Sequence, residues 1–143
     1  VDRVRPWDLS VFRHEPRGAL DVELTICGRT VHVLNTRLGL WPRERPQQAD
    51  RLLELLSLSR RDLTILMGDL NEWHGWGKSL RGLRRVFGSP AAPVTFPARW
   101  PVLALDRIWI FPAQALLTVE AHDTPRSRLA SDHLPVKADI YLP

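Results

Sequence analysis

Several kinds of residue are scarce in this 143-residue chain, and each scarcity excludes a class of protein. Cys27 is the single cysteine, which excludes an intramolecular disulfide and a zinc site built on cysteines. No apolar run approaches the roughly 20 residues that a membrane-spanning helix needs. The first six residues do not resemble a signal peptide, because they are charged and no apolar stretch follows them. Together these features favour a cytoplasmic location.

Lysine is also scarce. Of the 20 basic residues only Lys78 and Lys137 are lysine, and the formal net charge is +4. Arginine holds phosphate with a planar fork of donors, so this bias would suit a phosphate-bearing substrate. The alternative is a GC-rich genome that encodes arginine for lysine throughout, since basic residues alone say little about function. The arginines are scattered, so there is no basic tail.

The remaining composition is that of an ordinary globular domain, with 44% hydrophobic and 25% charged residues. The pattern predicts a hairpin of strands 19–26 and 30–36, and further strands at 63–67, 103–111, 116–119 and 136–142. It predicts a helix on Ala49, Leu52, Leu53 and Leu56, with Pro46 in its first turn, and a second helix at 78–87. Residues 89–101, with four prolines, are expected to be a loop. This mixture indicates a mixed α/β sheet.

Polar residues interrupt this pattern first at 68–72, which reads Gly-Asp-Leu-Asn-Glu. Asp69 and Asn71 come just after a buried strand, where ligand sites form in α/β sheets. Their oxygen and amide groups suit Mg²⁺ and a phosphate oxygen. The alternative is a turn, in which either side chain caps the following segment.

The second interruption is Asp106, which strand alternation places on the same face as Ile108 and Ile110. Arg107 lies on the opposite face, so it cannot neutralise Asp106 within the strand. A carboxylate in such a run costs several kcal/mol unless it is paired or hydrogen-bonded. It therefore indicates either a functional group or a structural position, namely a buried ion pair or an edge strand.

The third interruption, 131–135, reads Ser-Asp-His-Leu-Pro and comes directly before the last predicted strand. Asp132 and His133 can supply a metal ligand or an oriented base, because imidazole titrates near neutrality. The alternative is a Ser/Asp turn with an exposed histidine.

Taken together, four motifs in order closely resemble those of the endonuclease/exonuclease/phosphatase superfamily, which includes pancreatic deoxyribonuclease and neutral sphingomyelinases. The motifs are Asn35-Thr36-Arg37-Leu38-Gly39-Leu40, Gly68-Asp69-Leu70-Asn71, Leu105-Asp106-Arg107-Ile108-Trp109 and Ser131-Asp132-His133-Leu134-Pro135-Val136. The stretch Thr95-Phe96-Pro97-Ala98 looks most like the small bacterial hydrolases of that group. The resemblance covers about residues 17–141.

The resemblance implies an α/β (α+β) fold, a two-sheet β-sandwich flanked by helices in four α/β/β/α layers. It implies hydrolysis of phosphodiester or phosphomonoester bonds with Mg²⁺ or Mn²⁺, on a substrate of the nucleic-acid or phospholipid-headgroup class. A divalent ion suits this chemistry because the transition state spreads negative charge over oxygens. The alternative is a catalytically silent domain of the same fold that binds a phosphate-bearing ligand.

Five residues match the catalytic positions of the family. Asp69 would position or activate the attacking water, and Asn71 would bind the phosphate. Asp106 would orient the groups on the phosphate side and, in some accounts, assist protonation of the leaving oxygen. His133 would contact the phosphate or act as the base, and Asp132 would hold metal or fix the imidazole. The implied metal ligands are Asp69, Asn71, Asp132 and His133, and the implied phosphate-binding residues are Arg37, Asn71 and His133.

The sequence departs from the family pattern in two ways. Arg37 stands where the family usually has histidine, and arginine cannot act as an acid or base near pH 7. The family's upstream motif with a metal-binding glutamate is absent, and Glu15 and Glu23 are not in a similar motif. We therefore expect residues 1–143 to be the C-terminal part of a single, N-terminally truncated catalytic domain, with weak or no activity by itself and a tendency to self-associate.

Three tryptophans, Trp73, Trp76 and Trp100, lie in or near the loops that carry these motifs. They would either stack on bases or bind near a lipid headgroup, or they would pack the loops onto the sheet.

Overall fold

Two facing sheets make up the centre of the chain in a computed structural model, which describes residues 1–58, 63–73 and 77–142. The first has the strand order β1-β2-β3-β4-β5. Its strands are β1 (Arg3–Asp8), β2 (Gly18–Ile26), β3 (Arg29–Arg37), β4 (Leu63–Asp69) and β5 (Asp106–Phe111). The second sheet pairs β6 (Leu116–Ala121) with β7 (Val136–Ile140). Strands β3 and β4 are parallel and the other pairs are antiparallel, which confirms the predicted mixed sheet.

The predicted helices are both present. Helix α1 (Arg45–Leu58) connects the parallel strands β3 and β4, as a crossover connection requires. Helix α2 (Arg81–Phe87) follows a 3₁₀ turn at Lys78–Leu80, and α3 (Ser127–Ala130) is a single short turn. Within the described ranges, no helix combines the length and the apolar character that crossing a membrane requires.

The five-stranded sheet is covered on both faces. On its outer face Leu34, Leu66 and Trp109 pack in one buried cluster with helix residues that include Leu52 and Phe87. The inner face packs against the second sheet through another cluster, which contains Val31, Val33, Leu63, Ile65, Met67, Ile108, Ile110, Leu116 and Ile140. This is the expected two-sheet sandwich with a helix layer.

The strands at the sheet's edges were the hardest to predict. Strand β1 was not predicted, because its sequence is charged and contains Pro6, a residue that edge strands tolerate. The predicted strand 103–111 begins only at Asp106, since Leu103 instead forms an isolated bridge with Phe96. Strand β4 continues two residues beyond its predicted end, to Asp69.

Gly68 makes this continuation of β4 possible. Its φ is +136°, and a Cβ atom there would lie 1.8 Å from the carbonyl oxygen of Thr36 on β3. A side chain at this position would therefore separate the two strands directly beside Asp69.

We expect Gly68→Ala to lower the free energy of unfolding by more than backbone strain alone, which costs about 1–3 kcal/mol at such a φ. Gly88→Ala is the matched control, because Gly88 also has a positive φ, +76°, but has open space around its Cβ position. Urea unfolding of both variants measures the difference, which we expect to exceed about 1 kcal/mol. Equal losses of unfolding free energy in the two variants would show that Thr36 moves aside without an energetic cost.

Candidate active site

Three strands bring polar side chains together where the apolar core between the sheets ends. Arg37 ends β3, Asp69 ends β4 and Asp106 begins β5. The register pairs Asp69 with Arg37 on one side and with Asp106 on the other, so all three lie on the inner face of the sheet. They continue the row that Met67 and Ile108 occupy deeper in the sandwich. A single register therefore assembles three of the candidate residues.

Arg37 and Asp69 form an ion pair at the rim. Nε of Arg37 lies 3.4 Å from Oδ2 of Asp69. The Asp69 side chain is 12% exposed, whereas that of Arg37 is 61% exposed. Arg37 thus extends into solvent while its charge remains beside a mostly buried carboxylate.

Asp106 has two hydrogen-bond partners on one oxygen. Its Oδ2 accepts from the hydroxyl of Thr95 at 2.5 Å and lies 2.8 Å from Nδ1 of His133. Opposite an ionised carboxylate, which only accepts, Nδ1–H of His133 is the donor, and a neutral ring in this tautomer presents Nε2 as an acceptor. Asp106 therefore fixes both the orientation and the tautomer of the imidazole. The carboxylate that alternation predicted on the inner face is hydrogen-bonded, and it stands on an edge strand.

The loop around Thr95 connects these elements. Thr95 is fully buried, and its carbonyl accepts from the backbone N–H of Leu134 at 2.9 Å. The ring of Phe96 lies 4.8 Å from that of His133, centroid to centroid. Two residues farther along, Ala98 N–H donates to the carbonyl of Asp132 at 2.7 Å. These contacts hold the His133 segment against the start of β5.

Asn71 occupies a tight turn beside Asp69. Its φ is +49°, a conformation that asparagine tolerates better than most residues. Its backbone N–H donates to Oδ1 of Asp69 at 3.0 Å, and its side-chain amide donates to the carbonyl of Leu38 at 2.7 Å. Asn71 is 3% exposed. The turn that is the alternative for this motif is therefore present, and Asn71 both closes it and ties it to the end of β3.

Asp132 stands apart from the other candidates. It is exposed, and its carboxylate accepts from the hydroxyl of Ser131 at 3.3 Å. The Nδ1 atom of His133 is bound by Asp106. Of the two roles expected of Asp132, that of fixing the imidazole at Nδ1 is therefore performed by Asp106. Across the described residues, no three His, Cys, Asp or Glu side chains form a group able to hold a metal ion.

Comparison with known sequences identifies the relationship. The model of the endonuclease/exonuclease/phosphatase family matches residues 3–133. The chain belongs to this family. An uncharacterised Escherichia coli protein, YbhP, is 34% identical over 153 aligned residues, which cover 99% of this chain and 59% of YbhP. The chain thus spans about three-fifths of the length of this relative.

Solved structures of the endonuclease/exonuclease/phosphatase family have the same fold. A Bacteroides vulgatus member superimposes with a TM-score of 0.80 at 16% identity, over 100% of this chain and 66% of that one. A mannosyl-6-phosphatase of Bacteroides thetaiotaomicron gives 0.79 at 16% identity, over 99% and 67%. The D. rerio protein TDP2, in complex with a single-stranded DNA product, gives 0.66 at 16% identity, over 95% and 66%. At these identities the likeness shows the fold alone.

Sequence reasoning did not assign a role to Thr95, although Thr95 donates a hydrogen bond to Asp106. The quoted stretch 95–98 was the available signal, because its resemblance to family members placed it before the Asp106 motif. Trp73 and Trp100 do not pack their loops onto the sheet, which was one of the two alternatives for them, since Trp73 is 55% exposed and Trp100 is 78% exposed. Trp76 lies outside the described residues.

Proposed function

We propose that the endonuclease/exonuclease/phosphatase site of this chain hydrolyses phosphoesters with a divalent metal ion, by attack of water on phosphorus. One observation carries this proposal, the 2.8 Å contact between Oδ2 of Asp106 and Nδ1 of His133. Asp106 begins β5, which pairs with the strand that ends at Asp69. A carboxylate that orients an imidazole beside a second carboxylate is an arrangement for moving a proton. The family membership supports a hydrolase in general.

In this proposal Asp69, His133 and Asp106 position the water and move its proton. Asp69 accepts a hydrogen bond from the attacking water and positions it, and Nε2 of His133 accepts the proton that the water loses. The water oxygen forms a bond to phosphorus as the P–O bond to the leaving group breaks. The leaving oxygen takes up a proton from solvent, and the imidazolium returns its proton to solvent. Asp106 holds the imidazole and, by its negative charge, stabilises the imidazolium that forms. Asp132, which is exposed, is proposed to hold the metal, the role that remains for it because Asp106 orients the imidazole.

Asn71 and Arg37 are proposed to bind the phosphate. The side-chain amide of Asn71 carries two N–H groups, and one of them donates to Leu38. The second N–H would donate to a phosphate oxygen. Arg37 would give up part of its ion pair with Asp69 and donate to another oxygen, as guanidinium groups do at phosphate sites.

The residues present fit a hard divalent ion. Mg²⁺ in proteins is held by one or two carboxylates together with water and substrate phosphate oxygens, and Asp69 supplies a carboxylate next to the proposed phosphate position. The proposed ligands are Asp69, Asn71 and Asp132. His133, which the resemblance also implies as a ligand, is left out because Nδ1 is bound by Asp106 and Nε2 accepts the proton of the water. When bound, Mg²⁺ or Mn²⁺ would neutralise negative charge that develops on the phosphate oxygens.

The Arg37–Asp69 ion pair also favours a second candidate function, a silent domain that binds a phosphate-bearing ligand. The Arg37 guanidinium lies 3.4 Å from Oδ2 of Asp69 and supplies a permanent positive charge there. A catalytic domain would instead hold a divalent metal ion at this carboxylate, and that ion can dissociate. Such a domain would bind phosphate without metal and release no product.

The substrate class is proposed from the same geometry. The described site lies at the end of a sandwich, and exposed Trp100 is in the loop that precedes β5, which would suit a phosphate attached to a larger group such as a nucleotide or a lipid headgroup. Among solved relatives, one is named as a sugar phosphatase and another holds a DNA product. Aryl phosphodiester and aryl phosphomonoester substrates should therefore both be tested.

Metal dependence is the first test of this proposal. We expect hydrolysis of an aryl phosphodiester or monoester to stop in chelator and to return with Mg²⁺ or Mn²⁺. We expect Asp69→Asn to weaken Mn²⁺ binding, measured by electron paramagnetic resonance, at least about tenfold, since removing one ligand charge costs about 1.4 kcal/mol or more. Asp50→Asn is the matched control, because Asp50 is an exposed carboxylate on α1.

The results separate the two candidate functions. The metal site is supported if Asp69→Asn loses Mn²⁺ binding and Asp50→Asn keeps it, even where turnover is slow. Phosphate binding without any Mn²⁺ binding would instead support the silent domain. Weak activity of the isolated 143 residues stays a prediction, and so does self-association, for which light scattering at high concentration is the direct measurement. A monodisperse monomer would contradict self-association.

A further inference from the structure

A polar cavity lies on the opposite face of β5 from Asp106. It has a volume of 370 Å³ and is lined by residues of the loop after β4, of α2 and of the loop that follows α2. Arg107 forms part of its wall, and it lies on the outer face because it neighbours Asp106 in an alternating strand. The cavity is therefore separated from the candidate active site by the sheet itself.

Arg107 is buried without full hydrogen bonding. It is 8% exposed, and in the described structure its Nε–H has no hydrogen-bond partner. A buried guanidinium normally donates most of its five N–H groups, because an unpaired buried charge is costly. Burial lowers the pKa of Arg107, and repulsion from Arg84 lowers it further. Both effects disfavour the positive charge and would be relieved by an anion in the cavity.

The carboxylates nearby are already engaged. Glu72 lines the cavity and raises the pKa of Arg107, but it accepts a hydrogen bond from the hydroxyl of Ser79. Asp106 faces the other side of the sheet, where it binds Thr95 and His133. Arg84 also lines the cavity. The Arg84 guanidinium donates from Nη1 to the carbonyl of Gly77 at 3.2 Å. Two arginines thus line a space in which one carboxylate is present.

We propose that this cavity binds a small oxyanion, the phosphate or carboxylate group of a small ligand, between Arg84 and Arg107. Planar guanidinium groups bind both kinds of oxyanion through paired N–H donors. The volume lies within the range of about 300–1,000 Å³ typical of small-molecule sites. Trp73 and Trp109 line the same cavity, and their indole rings provide an apolar wall for the body of such a ligand. The proposal does not depend on hydrolysis.

The test is a titration of the chain with inorganic phosphate and, separately, with acetate, in the presence of chelator. The signal to follow is the side-chain Nε–H resonance of Arg107 in ¹⁵N nuclear magnetic resonance spectra. We expect it to shift with one of the two anions below about 10 mM, and the anion that shifts it identifies the oxyanion class. The same shift is expected in His133→Ala, because that substitution affects the other face of β5.

Arg84→Gln and Arg85→Gln form a matched pair on α2. Arg84 lines the cavity, whereas Arg85 is exposed and does not line it. We expect the anion affinity read from the Arg107 resonance to fall about tenfold or more in Arg84→Gln, the effect of losing one charged hydrogen bond, and to stay unchanged in Arg85→Gln. Urea unfolding of both variants checks that the fold is intact. The proposal is overturned if neither anion moves the resonance, or if the two variants bind equally well.

Discussion

We expect His133→Ala to lower kcat/KM for phosphoester hydrolysis about 10³-fold, within the range of about 10²–10⁴ for removal of a general base. The reason is the contact with Asp106, which holds the ring so that Nε2 is the free acceptor for the proton of the attacking water. Alanine removes the acceptor and leaves Asp106 with the Thr95 hydroxyl as its described hydrogen-bond donor. The measurement is steady-state hydrolysis of an aryl phosphodiester with Mg²⁺ or Mn²⁺, at equal protein concentration.

His122→Ala is the control for this substitution. His122 is exposed, and no hydrogen bond to a carboxylate of the candidate site is described for its side chain. We expect its activity to stay within about twofold of the starting chain. Imidazole added to the His133→Ala reaction should restore part of the lost activity, because it can accept the same proton. Two outcomes would contradict the role of His133 as the base. In one, both histidine variants lose activity, and in the other, His133→Ala is as active as the starting chain.

Alternation along strands was the sequence signal that placed the site most accurately. It put Asp106 on the inner face together with Ile108, and it put Arg107 on the outer face, as the structure confirms. The prediction succeeded because the side chains of a strand point to opposite faces in strict order. The same rule could not give the distance from Asp69 to Asp106, which depends on the pairing of β4 with β5.

Residues held by loops were beyond this kind of reasoning. Thr95 lies in a proline-rich segment without periodicity, and its contact with Asp106 depends on backbone hydrogen bonds to the segment around Leu134. For Asp132 and His133 the sequence showed adjacent residues but not their directions. The chain bends at both residues, and His133 faces Asp106 while Asp132 is exposed.

The fold itself was predictable where elements are long and apolar. Helix α1 and the β2–β3 hairpin were identified within one or two residues, since their patterns leave one choice of buried face. Strand β1 was missed because its pairing with β2 provides structure that its own composition does not favour. Its exposed Val4 and the exposed Leu20 on β2 share the inner face of the sheet, where the proposed self-association would bury them.

We expect Asp106→Asn to lower kcat about 10²- to 10³-fold with a smaller change in KM. Asparagine has nearly the same shape, but it carries no charge and can turn its amide N–H toward Nδ1 of His133. The imidazole would then place its proton on Nε2, where the proposed mechanism needs an acceptor. In the Ser-His-Asp triad the corresponding change costs about 10⁴ for this reason. Circular dichroism and urea unfolding establish that the variant is folded before its rates are compared.

Thr95→Val separates the two contacts that meet at Oδ2 of Asp106. It removes the hydroxyl donor at 2.5 Å and preserves the buried volume, so Asp106 keeps its charge and its contact with His133. We expect a loss of kcat of about tenfold, well below that of Asp106→Asn, because one hydrogen bond to a charged group is worth about 1.5–3 kcal/mol, and much of this will appear in stability. The double variant Asp106→Asn/His133→Ala should be no slower than His133→Ala alone, since the carboxylate acts through the ring. Additive losses would mean that Asp106 contacts the substrate directly, as in protonation of the leaving oxygen, and does not act by orienting His133.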